Sequence, residues 1–208
     1  MTETPVRGRR GRPPKVPREH GDTREVLLHC GVEILTAQGL TATGIDTVLK
    51  RVGVPKGSFY HYFDSKESFG LEVLQRYAEY FARRLDRRLL DEDQLPLQRL
   101  AGIVEDAKAG MIKYDFERGC LVGNLGQEVG ALPDSFRAEL QAVLADWKQR
   151  LAACLRLAVE AGQLRLDTDC DKLAEFFWIG WEGAVLRAKL DRSVHPLDVF
   201  IDGFLERA

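Results

Sequence analysis

From Asp22 onward the apolar residues of this chain recur at steps of three and four, and strand-type alternation is absent. That period is the signature of helices with one buried face. It restricts the chain to an all-α fold with short connections. Val26, Leu27, Cys30, Ile34 and Leu35 make the first stripe, with Asp22 or Thr23 suited to cap its start and Gly39 its end. A second short helix fits Ile45 to Val52, closed by Gly53. A third opens at Pro55 and runs to Phe63. Asp64 or Ser65 then caps a long fourth helix reaching about Leu90. Breaks follow near Asp91–Leu95, Asp115–Gly119, Leu132–Asp134, Gly162–Asp167 and Ser193–His195, so about nine helices are expected.

A length of 208 residues suffices for one large domain or two small ones with a substantial core. The net charge of −2 hides an asymmetry. Residues 1–66 carry 11 Lys/Arg against 7 Asp/Glu, a net of +4, whereas residues 67–208 carry 19 against 25, a net of −6. A basic front and an acidic back suggest that the front alone meets a polyanion. The segment VRGRRGRPPKVPR (Val6 to Arg18) has no apolar period and is rich in Arg, Gly and Pro. It reads as a flexible arm whose Arg9, Arg10 and Arg12 can lie along phosphates or in a minor groove. No secretory signal is evident, and the longest apolar patch, Leu173 to Leu186, is broken by Glu175 and Glu182. A cytoplasmic protein with no membrane partner is expected. The four cysteines match no metal or redox spacing and read as free thiols in a reducing compartment. Neither a metal nor another cofactor is expected.

VPKGSFYHYF (Val54 to Phe63) holds four rings in ten residues. On a helix Phe59 and Phe63 share one face and can pack inward. Lys56, Ser58, Tyr60, His61 and Tyr62 then face mostly outward, a set suited to phosphates and base edges. Gly57 permits close backbone approach, and the helix N-terminus adds partial positive charge. Two short helices around Gly53, the second presenting polar groups, form a helix-turn-helix.

With these residues the stretch TATGIDTVLKRVGVPKGSFYHYFDSKESF (Thr41 to Phe69) resembles the DNA-binding half of the TetR family of bacterial transcriptional regulators. The resemblance implies a homodimer with two recognition helices in successive major grooves of a palindromic operator. By position, Thr43 would hold a phosphate, Lys56, Gly57, Ser58, Tyr60, His61 and Tyr62 would line the recognition helix, and Lys66 would touch the backbone. It also implies three regions: a basic arm over residues 1–20, a helix-turn-helix unit over 21–68, and a ligand-binding and dimerisation unit over 69–208. A repressor is the family's usual form. No nucleophile elbow, P-loop or paired-carboxylate motif argues for an enzyme. The remaining alternative is a helical interaction protein that does not touch DNA.

In the back half, LAEFFWIGWEGAVLRAKL (Leu173 to Leu190) is apolar nearly all round. Phe176, Gly180, Gly183, Ala184 and Arg187 form one stripe with small residues in its middle, suited to a dimer interface or to a core within the chain. Another face carries Trp178, Glu182 and Lys189, which can line a pocket or form a wet edge. In RGCLVGNLGQEVGALPD (Arg118 to Asp134), Gly119, Gly123, Gly126 and Gly130 repeat at helical spacing. That bare stripe suggests close packing or a ligand site beside Asn124, or else a segment that is partly irregular. Cys120 opens this helix two residues after Arg118, and a helix N-terminus and a cation both favour a thiolate. Cys120 is therefore either the candidate sensor of an electrophile or oxidant or a buried small residue, whereas Cys30 and Cys154 read as core and Cys170 is surrounded by carboxylates. These stretches resemble a branch of the family released by reactive electrophiles or by acrylate-like unsaturated acids. That resemblance implies a small-molecule inducer sensed in one of two ways, by covalent attack at Cys120 or by reversible binding of a small unsaturated acid, with Lys189 as charge partner in either.

Overall fold

The computed structural model describes residues 20–206. Arg9, Arg10 and Arg12 of the expected basic arm lie outside the described residues. Among these residues the chain forms nine α-helices and no strand. They are α1 (His20–Gln38), α2 (Ile45–Val52), α3 (Lys56–Phe59), α4 (Lys66–Leu89), α5 (Pro96–Lys113), α6 (Leu121–Glu128), α7 (Asp134–Glu160), α8 (Cys170–Asp191) and α9 (His195–Leu205). No helix is long and apolar enough to cross a membrane.

Local chemistry sets most boundaries. Gly39 and Gly53 follow α1 and α2 with φ of 78° and 72°, a left-handed conformation costly for a side chain. Ser65 caps α4, its hydroxyl accepting from the Ser68 N–H at 3.0 Å. Asp169 caps α8 in the same way through the Lys172 N–H. Asp22 and Thr23, expected as caps, lie inside α1. The recognition helix is shorter than its pattern suggested. After Phe59 the His61 and Tyr62 N–H groups bond three residues back, to Ser58 and Phe59, so the α-helix gives way to a tight turn.

α1, α2 and α3 pack with the start of α4 into an N-terminal unit. Phe59, Phe63 and Phe69 meet at centroid separations of 5.0–5.6 Å, and all three are buried. Burial of each ring stabilises the unit by about 1.5–3 kcal/mol. The C-terminal unit is built on α4, α5, α7 and α8, with α9 packed on α8. Its centre is aromatic: Phe81, Trp147, Trp178, Phe177, Trp181, Phe200 and Phe204 meet in stacked, tilted and edge-to-face pairs with ring centres 4.4–5.6 Å apart. Helix α4 belongs to both units, paired to α1 by Arg24–Glu72 and Arg76–Glu25 and to α5 by Arg88–Asp106.

Candidate functional site

The N-terminal unit divides its aromatic residues as the helical face requires. Phe59 is 0% exposed and Tyr60 58% exposed. Lys56, Gly57 and His61 are exposed as well, and Ser58 half-buried. Tyr62 departs from expectation: it is half-buried and packs against the core, 6.5 Å from the Phe63 ring centre. Lys56 pairs with Asp46 at 3.1 Å, both side chains well exposed. Such a pair is worth about 0–1 kcal/mol, so the ammonium exchanges readily onto a phosphate. Lys66 sits at the start of α4, with its Nζ 3.5 Å from the Thr41 carbonyl. A cation there opposes the helix dipole, so the position suits an external anion better than it suits the helix. Thr43 corrects the sequence reading. It is buried; its hydroxyl donates to the Gly39 carbonyl at 2.5 Å and accepts from Gln38 Nε2 at 3.1 Å, so it holds the α1–α2 turn and is not free for a phosphate.

A cavity of about 460 Å³ lies between α1, α4, α5, α8 and the loop before α6. Cys120, Tyr77, Trp181 and Val185 form part of its wall. Arg76, Arg83, Arg84 and Arg118 line it as well, against Glu33 and Glu79. Arg118 bonds to Glu33 at 2.9 Å and stacks over the Tyr114 ring, 4.0 Å from its centre. Asp115 and Phe116, at φ of 49° and 57°, make the left-handed bend that carries the chain from α5 to Cys120.

Cys120 is buried and stands at the N-cap of α6. Burial pushes its thiol well above the ordinary value, and the neighbouring Glu182 carboxylate adds to the shift; the Gly123 N–H and the Tyr77 hydroxyl pull the other way. The expected thiolate is therefore overturned. Desolvation and a carboxylate outweigh the helix end, and Arg118 is committed to Glu33. Glu182, on the inner side of α8, is itself pushed up by burial to about 7, with a hydrogen bond from the Cys120 thiol opposing the shift. Burial also raises the Tyr77 hydroxyl well above its usual range. Three buried polar atoms have no partner among the described residues: Glu182 Oε1, Trp147 Nε1 and Trp178 Nε1.

The other expected sensor residues do different work. Asn124 Nδ2 donates to the Leu35 and Thr36 carbonyls at 3.1 and 2.8 Å. Lys189 Nζ donates to the Ala37 carbonyl at 2.8 Å and is not part of the cavity wall. Trp178 is neither cavity wall nor wet edge; it lies in the aromatic centre. The glycine stripe is not one helical face either, because α6 spans only Leu121–Glu128. Within it Gly123 is the tight position: a Cβ there would stand 2.0 Å from Glu182 Oε2.

Sequence reasoning missed Glu128. Its Oε2 accepts from the Leu40 and Thr41 N–H groups at 3.0 and 2.9 Å and from the Thr41 hydroxyl at 3.0 Å. Helix α6 thus grips the end of α1 and the α1–α2 turn from both ends. No spacing rule points to a contact 88 residues away. Tyr77 was missed for a simpler reason: its position on the buried stripe of α4 reads as packing.

The expected dimer stripe is also redistributed. Phe176 and Gly183 face out, but Ala184 is buried. Gly180 packs under Phe200 of α9, where a Cβ would stand 2.4 Å from the ring. Arg187 is exposed and pairs with Asp191. The outward apolar face of α8 is Phe176, Ile179, Leu186 and Leu190, with Gly183 in its middle. These positions repeat at three and four residues, the spacing of a helix–helix seam.

A helix-turn-helix unit joined by a shared helix to an all-helical unit with a cavity defines a DNA-binding transcriptional regulator. The chain belongs to the tetR family of bacterial regulatory proteins: residues 27–73 match that family and residues 96–204 match the tetracyclin repressor-like C-terminal domain. It is a TetR-type DNA-binding transcriptional repressor and not an enzyme. It is 50% identical to the transcriptional regulator AcuR of Cereibacter sphaeroides, over 98% of this chain and 94% of that one. It is 33% identical to the HTH-type transcriptional repressor NemR of Escherichia coli K12, over 86% and 90% of the two chains. Among solved structures, a regulatory protein TetR from Rhodobacter sphaeroides superposes with a TM-score of 0.87 at 50% identity, covering 88% of this chain and 97% of that one.

Proposed function

We propose that this repressor is released from a palindromic operator by a small unsaturated acid of the acrylate type or by a reactive electrophile, acting at Cys120. The observation that carries this reading is the position of the Cys120 thiol on the wall of a 460 Å³ cavity beside four arginines. Of those arginines, Arg83 and Arg84 hold their carboxylate partners only at 3.9 and 4.0 Å and are the most available to an entering acid. A thiol kept neutral by burial is a poor target for oxidants in free solution, which favours a ligand that first seats in the cavity.

The operator is gripped by Lys56, Gly57, Ser58, Tyr60, His61, Tyr62 and Lys66, with Arg9, Arg10 and Arg12 following the backbone. Two copies associate through the outward face of α8, with residues 21–68 reading DNA and 69–208 sensing. Paired recognition helices must match a half-site spacing of roughly 34–36 Å. A tenfold loss of affinity needs only about 1.4 kcal/mol of preference for a misaligned state. Because α6 holds the α1–α2 turn directly, a shift at Cys120 reaches the reading unit through Asn124 and Glu128 as well as through α4.

Operator release is measured by fluorescence anisotropy with acrylate and with N-ethylmaleimide, on wild type and Cys120→Ser. Loss of both responses in Cys120→Ser assigns covalent sensing, and loss of the maleimide response alone assigns reversible capture of the acid. A wild-type protein that stays on DNA with both compounds refutes the reading.

A further inference from the structure

The Cys120 sulfur stands among groups of opposite polarity from three helices. The Glu182 carboxylate of α8 stands beside it: both Glu182 Oε2 and the Cys120 Cβ lie within 4 Å of the point where a side chain on Gly123 would begin. The Tyr77 hydroxyl of α4 and the Gly123 N–H of α6 are donors that favour a charged sulfur. Glu182 Oε1 is buried without a partner among the described residues. A carboxylate in that state costs free energy that an apolar side chain would avoid. Helix α6 makes room for it only because residue 123 lacks a side chain. The resting site is also self-contradictory for a sensor, because a neutral thiol is a weak nucleophile. A base beside the thiol removes the contradiction: it takes the proton only when an acceptor is seated.

We infer that Glu182 is the proton acceptor for Cys120 when the thiol adds to an α,β-unsaturated carbonyl compound held in the cavity, with Tyr77 steadying the sulfur as charge develops. This deepens the sensor reading and rests on it. The sulfur forms a bond to the β-carbon, and the π pair of the C=C bond moves toward the α-carbon and carbonyl oxygen. The S–H proton passes to Glu182 and then to the α-carbon, which returns the carboxylate to its starting form. The net change is addition of S–H across C=C, with no oxidant or reductant. The titratable groups facing Glu182 are Cys120 from the α6 cap and Tyr77 from α4. On its own helix, Lys189 is turned to Ala37.

The test is the rate at which N-ethylmaleimide labels Cys120 in the full-length protein, followed by peptide mass spectrometry from about pH 5.5 to 9.5. In wild type the rate climbs as Glu182 loses its proton, around 7. Glu182→Gln slows labelling at neutral pH by about a hundredfold, the usual worth of a positioned base, and loses that climb. Glu182→Asp restores the climb. Tyr77→Phe slows labelling by a smaller factor and leaves the midpoint in place. Equal rates and equal profiles in wild type and Glu182→Gln overturn the proton assignment alone, whereas a wild-type Cys120 that is never labelled overturns the sensor reading with it. If Glu182→Gln fails to fold, the wild-type profile decides: a climb only above about pH 9, the range of an unassisted thiol, overturns the inference.

Discussion

Replacing Glu182 with Gln should stabilise the protein at alkaline pH and not at acid pH. Burial raises this carboxyl from 4.5 to about 7, so the native fold favours its neutral form. Below 4.5 the group is protonated in both the folded and the unfolded chain and contributes no pH dependence. As pH rises above that value the unfolded chain gives up its proton while the native one keeps it, and stability falls. The penalty stops growing once pH passes about 7. Each tenfold in a protonation equilibrium is worth about 1.4 kcal/mol, so the ionised carboxylate costs the native state roughly 3 kcal/mol at pH 8. Glutamine has the same shape and no charge to desolvate. The assay is urea unfolding of wild type and Glu182→Gln at matched protein concentration across pH 4.5–8.5. The stability difference between the two should grow in favour of the variant by about 3 kcal/mol over that range. Any constant cost of the amide cancels in this comparison, as do the other titrating groups. A difference that stays flat to within about 1 kcal/mol would refute the claim that burial governs this carboxyl.

Three further outcomes follow from the contacts described. Glu128→Ala removes three hydrogen bonds on the α1–α2 turn, two of whose donors water can reach; a net loss of about 2 kcal/mol should lower Tm by about 4–8 °C by calorimetry. Tyr60→Ala should leave the melting curve unchanged but weaken operator binding by about tenfold or more, whereas Phe59→Ala should destabilise the fold by about 3–5 kcal/mol. Ile179→Glu places a charge on the outward face of α8, 71% exposed in one chain, and should shift the sedimentation profile from dimer to monomer without loss of helicity.

The helix order and the breaks between helices were legible because spacing, capping residues and glycines act within a few residues of one another. The division of the ring-rich segment was legible for the same reason: Phe59 and Phe63 are one turn apart and share a face. The candidate sensor was only half legible. Cys120 could be picked out by its place at a helix start, but its protonation is set first by burial and then by Glu182, which comes from another helix 62 residues later. Lys189 and Asn124 carried the right chemistry for a ligand, yet both spend it on backbone carbonyls of α1, a choice set by tertiary packing. On α8 the small residues suggested one seam; in the fold they are split, with Gly180 serving α9 and Gly183 left on the outer face.

At the end of α1 the Thr36 and Ala37 carbonyls take their donors from Gly119, Asn124 and Lys189, and the Leu35 carbonyl adds Asn124 to the Gly39 N–H of its own turn. The DNA-reading unit thus borrows the finish of its first helix from segments well beyond it in the chain. A grafted regulator that joins this reading unit to a foreign sensor will inherit an unfinished helix unless those three residues and Glu128 travel with it. The boundary that matters for building such hybrids is therefore not a cut in the sequence but a ring of donors drawn from two distant segments.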